Sequence, residues 1–190
     1  MKFNNKGFTL IEIVISVSIF SVIMITMISI YILASETSLK SDINRAMHEN
    51  VKSVITDISE NVMKNGIIGV SQNLLDSCDS LSLGYKFGNK LCVSGGEYIL
   101  AKEEMGIFIR VDDLDYCKNL DSQCYIVKNG KPLTNSMVTV KELRFYLSDS
   151  YVPKITINIV FQPTIKSGVK PSLIEQNKLI FQTTISERPF

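Results

Sequence analysis

The sequence predicts an α+β protein: a long N-terminal helix, apolar in one half and amphipathic in the other, packed on a C-terminal antiparallel β-sheet head. Three observations predict it. Ile13 to Ser35 is a run of 23 uncharged residues dominated by Ile, with Val, Met and one Phe. Apolar residues then recur at helical spacing as far as Val62, and neither Pro nor Gly interrupts the chain from Phe8 to Asn65. From Leu81 onward, short β-like runs separated by turn residues take over.

The apolar run comes first. At ~1.5 Å per residue it spans roughly 34 Å as a helix, close to the ~30 Å hydrocarbon thickness of a bilayer. Lys2 and Lys6 precede it, and the next Lys or Arg is Lys40. This asymmetry places the N-terminus in the cytoplasm and the remainder outside, a single-pass arrangement. A secretory signal peptide would have an apolar region of about 7–15 residues ending in a small-residue cleavage site. Here the run is longer, and Ile32-Leu33-Ala34 makes a poor site.

The amphipathic half follows. Leu39, Ile43, Met47, Val51, Val54, Ile58 and Val62 form one stripe. Their mean step of about 3.8 residues lies above the 3.5 of a sustained coiled coil. It suits a helix laid against a sheet of its own chain. Asn65-Gly66 supplies the stop. His48, the single histidine, neighbours the stripe without belonging to it, and reads as a solvated surface residue.

In the head, Glu97–Lys102 and Ile107–Val111 read as a hairpin around Glu103-Glu104-Met105-Gly106. Cys124–Lys128, Asn129-Gly130 and Lys131 form a second, because Asn-Gly suits a type I′ turn. Val138–Leu147, Lys154–Phe161 and Lys178–Ser186 complete the strands. Ile155, Ile157, Ile159 and Phe161 alternate with Thr156, Asn158 and Val160, so one face is buried. The expected result is an antiparallel sheet against Leu39–Val62.

Composition argues against several functions without excluding nucleic acid as a partner. Net charge is +1 and evenly spread, without the clustered basic face of a nucleic-acid binder. The head has no histidine, no Gly-rich phosphate loop and no cluster of metal ligands, so neither an enzyme nor a cofactor or metal site is expected. Cys78, Cys92, Cys117 and Cys124 contain no C-x-x-C, which argues against zinc. An even number in an exported head suggests two disulfides. Three pairings exist. Loop size favours Cys78–Cys92 with Cys117–Cys124, and free buried thiols are the alternative.

The segment Lys6-Gly7-Phe8-Thr9-Leu10-Ile11-Glu12-Ile13 is distinctive. A short basic leader ends in Gly7, an apolar Phe8 follows, and a lone carboxylate, Glu12, sits at the mouth of the apolar run. A carboxylate near the membrane interior costs a few kcal/mol and so ordinarily has a partner and a role. Lys6, six residues back, lies beyond one helical turn.

The segment closely resembles the prepilin signal of type IV pilins and type II secretion pseudopilins. The resemblance is strong from Lys6 to about Ile25. It implies a membrane aspartyl peptidase that cuts after Gly7 and methylates the new amino terminus on Phe8. It further implies residues 1–7 as leader, 8–35 as transmembrane and assembly helix, 36–66 as amphipathic helix and 67–190 as head. The partners it implies are the prepilin peptidase/methyltransferase, other subunits, an inner-membrane assembly platform and, before assembly, the lipid. Glu12 would meet the amino terminus of a neighbouring subunit. The end state would be an extracellular or periplasmic filament, with this chain as a minor member. A helix-loosening proline common in the family is missing here, and the cysteines do not match the C-terminal disulfide loop common among major pilins. The alternative is a single-pass, membrane-anchored, extracytoplasmic ligand-binding protein.

Overall fold

The computed structural model describes residues 9–73, 77–78, 81, 86–148, 152–164, 174 and 177–187. It has an α+β layout, a long N-terminal helix followed by antiparallel sheets. The chain divides into two compact units, Met1–Asp42 and Ile43–Phe190.

Helix α1 runs Leu10–Asn65. In the first unit none of its side chains is buried, and Leu10, Ile15, Phe20, Ile25, Ile30 and Tyr31 are each more than half exposed. In the second unit it buries Ile43, Met47, Val51, Val54, Ile58 and Val62, each at most 6% exposed. Burying an aliphatic side chain contributes roughly 1.5–3 kcal/mol, so this stripe is a main source of stability for the unit. Leu39, included in the stripe by its spacing, lies in the first unit and is only half-buried. The helix ends as the sequence indicates. Gly66 takes φ +75 and donates its N–H to the Val62 carbonyl at 3.1 Å, a left-handed cap that suits glycine.

Among the described residues the strands form two antiparallel sheets, where the sequence suggested one. The six-stranded sheet contains β1 (Ile67–Ser71), β3 (Lys90–Val93), β4 (Gly96–Glu104), β6 (Cys124–Lys128) and β7 (Lys131–Pro132) in the order β1-β3-β4-β6-β7, with β5 (Ile107–Arg110) also on β4. The second sheet runs β10 (Leu179–Ser186), β9 (Lys154–Pro163), β8 (Val138–Ser148), β2 (Phe87–Gly88). Strands β1 and β3 lack the alternation that announces a half-buried strand. Lys90-Leu91-Cys92-Val93 is buried throughout, so both of its faces are covered.

The turns follow local chemistry. The β4–β5 hairpin turns on Met105-Gly106 alone, with φ +52 and +80, and Glu103 and Glu104 belong to the strand. Asn129-Gly130 has φ +49 and +78 between β6 and β7. Two consecutive positive φ values match the right-handed twist of the flanking strands.

Polar ties fix α1 to the six-stranded sheet and to the segment between β7 and β8 within the second unit. Asp57 accepts from the Tyr98 hydroxyl at 2.6 Å and from Lys128 Nζ at 3.2 Å. The buried Asn50 accepts from the Asn135 N–H at 2.8 Å and donates to the Ala46 carbonyl. Helix α2 (Leu114–Lys118) is capped by Asp113, whose side chain accepts from the Asp115 N–H. The disulfide Cys117–Cys124 joins α2 to β6, and Cys78–Cys92 reaches β3. The β8–β9 register shifts between Val140 and Glu142. That irregularity turns the intervening Lys141 inward, where it donates to the carbonyls of Asn119 (2.5 Å) and Ser122 (3.3 Å).

Candidate functional site

The candidate site is the start of α1. Gly7 and Phe8, expected to flank the processing point, lie outside the described residues. Glu12 sits in the first helical turn, where a negative side chain meets the positive end of the helix dipole.

Glu12 is engaged with Thr9. Its Oε2 accepts from the Thr9 N–H at 2.9 Å and from the Thr9 hydroxyl at 2.9 Å. The Thr9 Oγ1 in turn accepts from the Glu12 N–H at 3.4 Å. This is a capping box, in which each side chain serves the other residue's backbone donor. Thr9-Leu10-Ile11-Glu12 has the T-x-x-E spacing that opens a helix, a signal in Thr9 that charge and apolar patterns alone pass over. Glu12 thus has a local partner in the single chain. Both residues are exposed, so the carboxylate is accessible to a second molecule.

Beyond the first turn, the hydroxyl-bearing residues are satisfied within the helix. Ser16, Ser18, Ser21 and Ser29 each donate to the carbonyl four residues earlier, and Thr26 to the carbonyl three earlier, at 2.7–2.9 Å. With their donors paired, these side chains present little unmet polarity to an apolar surrounding. The helix is long and apolar enough to cross a membrane, and none of its most apolar window is buried. It is therefore consistent with membrane anchoring.

The remaining sequence candidates lie in the second unit. Cys78 is joined to Cys92 and Cys117 to Cys124, with Cα–Cα distances of 5.6 and 5.7 Å. His48 is an exposed residue of α1. Among the described residues, no three His, Cys, Asp or Glu side chains group as metal ligands would.

Comparison with curated proteins and with solved structures finds no match for the chain. Comparison with protein families matches its N-terminal segment. The motif found there implies processing by a peptidase and assembly with other pilin subunits, and points to a structural subunit. Residues 2–28 fit the family described as the prokaryotic N-terminal methylation motif, so this chain carries a type IV pilin- or pseudopilin-like prepilin signal at the head of its apolar helix.

Proposed function

We propose that this protein is a minor structural subunit of a type IV pilus or type II secretion pseudopilus. It is inserted with its N-terminus in the cytoplasm and its second unit outside. A prepilin peptidase cuts it after Gly7 and methylates Phe8. An inner-membrane platform then draws the mature chain into a filament, where α1 packs against the helices of other subunits. The observation that carries this reading is the methylation motif at residues 2–28 joined to an apolar helix with no buried side chain over its first unit. Because the cut falls before the apolar run, the helix stays on the product. A surface of that kind is covered by lipid before assembly and by neighbouring helices after it. An assembly in which one face of a subunit meets a different face of the next grows as an open helix.

In this reading Glu12 pairs with the Phe8 amino group of a neighbouring subunit. Removing one partner of a buried ion pair loses about 3–5 kcal/mol. Two substitutions test the scheme separately. Gly7→Leu leaves full-length precursor in the membrane, since a residue without a side chain is needed where the backbone enters the peptidase. Glu12→Ala is still cut but enters sheared filaments poorly. Normal shortening of Gly7→Leu would overturn the processing assignment. Wild-type incorporation of Glu12→Ala would overturn the pairing.

A further inference from the structure

A second site lies in the unit Ile43–Phe190, on the face of β4 that carries Glu97. Tyr98 pairs with Leu91 of β3 and with Lys128 of β6, while Ala101 pairs with Arg110 of β5 and with Tyr125 of β6. Strands β3 and β5 therefore share one edge of β4, end to end. Lys90 and Arg110 stand at their facing ends, on either side of the junction. An open cleft of about 430 Å³ lies here, lined in part by Ser77, Lys90, Glu97, Arg110 and Asn129, with the Cys78–Cys92 disulfide in its wall.

The cleft has a built frame. The Lys90 side chain is 2% exposed, and its ammonium meets Glu97 Oε2 at 2.5 Å. The Glu97 N–H donates to Asn129 Oδ1 at 2.9 Å. Gly96 has φ +140, and a Cβ there would lie 2.2 Å from that same Asn129 oxygen, so the turn admits only glycine at this approach. Among the described residues lining the cleft, Glu97 is the one carboxylate, set between two cations.

Arg110 is the residue that this frame leaves incomplete. Its Nη2 lies 3.7 Å from Glu97 Oε1, beyond hydrogen-bond reach. Its Nε is buried and has no acceptor. A buried donor without a partner is costly, and native structures nearly always supply one. We infer that the cleft binds a small oxyanion, a carboxylate or a phosphate group, on the guanidinium of Arg110, whose partly exposed side chain lines it. The planar guanidinium offers parallel donors that match the two oxygens of such a group. Lys90, held by Glu97, adds positive potential without being the primary donor.

The test uses the full chain in detergent with its disulfides intact, titrated by calorimetry with inorganic phosphate and, separately, with acetate at low salt. The wild type binds at least one of them with a Kd of about 1 mM or tighter. Preference for phosphate assigns a phosphate ligand, and equal or better binding of acetate assigns a carboxylate. Arg110→Gln weakens binding by about tenfold or more, through the loss of the charged, paired donors. Arg110→Lys keeps the charge without the planar fork and falls between the two; it serves as the comparison if Arg110→Gln is misfolded by circular dichroism. Arg144→Gln, outside the cleft, binds as the wild type does. Two results would overturn the inference: no heat from either anion at about 20 mM, or undiminished binding by both Arg110 variants.

Discussion

Replacing Asp57 with alanine tests how the folded unit holds the amphipathic part of α1. Tyr98 is fully buried, and its hydroxyl gives Asp57 Oδ2 a 2.6 Å hydrogen bond. A hydrogen bond to a charged group contributes about 1.5–3 kcal/mol, and stranding the buried hydroxyl sets the loss near the top of that range. Lys128 Nζ lies 3.1 Å from the same oxygen, but the two side chains are 22% and 31% exposed. Water screens that pair, which adds less than about 1 kcal/mol. Asp57→Ala should therefore lower the unfolding free energy by about 2–4 kcal/mol. Asp57→Asn, which keeps an acceptor, should cost about half as much. The chain has seven tyrosines and no tryptophan, so urea unfolding followed by tyrosine near-ultraviolet dichroism reports on this region. In a double-mutant cycle, Tyr98→Phe and Asp57→Ala should couple by about 1–2 kcal/mol. The cleavage after Gly7 proposed above should be untouched, because Asp57 belongs to the other unit. A loss below about 0.5 kcal/mol, or simple additivity, would mean that the Asp57–Tyr98 bond does not hold the helix to the sheet.

Three further predictions follow from the same geometry. Alkylation of the unreduced protein should label no cysteine, and replacing Cys117 and Cys124 together by serine should lower stability by about 2–3 kcal/mol through the freed loop; four labelled thiols would contradict this. Burial, reinforced by the positive charge of Lys178, pushes the Lys141 pKa down to about 8. The unfolded chain then holds a proton that the folded one has released, so stability should rise from about pH 8 toward pH 10, and Lys141→Met should remove that rise in thermal melts. Above about pH 10 the trend should reverse. Burial first, then Glu103, pushes Tyr125 up to about 12, and Tyr98 is raised likewise by burial and Asp57. The folded state keeps phenol protons there that the unfolded state loses; a melting temperature still climbing at pH 11 would contradict it.

Legibility in the sequence tracked how local the determining physics is. The helical stripe from Ile43 to Val62 and its end at Gly66 were readable, because 3.6-residue periodicity and a left-handed cap are set within a few residues. Both hairpin turns were readable from their glycines, although Glu103 and Glu104 proved to be strand rather than loop. The division into two sheets was not readable, since it depends on which distant strands pair. Strands β1 and β3 were hidden because both faces are covered and no alternation results. Helix α2, only five residues long, announces itself by little beyond the Asp113 cap. At the candidate site, Glu12 stood out as a lone carboxylate beside an apolar run, whereas its Thr9 partner needed the capping-box spacing to be noticed. The oxyanion cleft could not be read at all. Lys90, Glu97 and Arg110 come from three strands and meet only because β3 and β5 share an edge.

In the proposed function this chain is cut before its apolar helix and then built into a fibre. Intact-mass and N-terminal peptide spectrometry on membrane and sheared-fibre fractions reads both steps at once. The predicted result is a mature chain beginning at N-methylated Phe8 in both fractions, scarce in the fibres relative to the main subunit, as a minor member would be. A chain that retains Met1–Gly7 in the membrane and is missing from the fibres would contradict the account and favour a membrane-anchored binding protein.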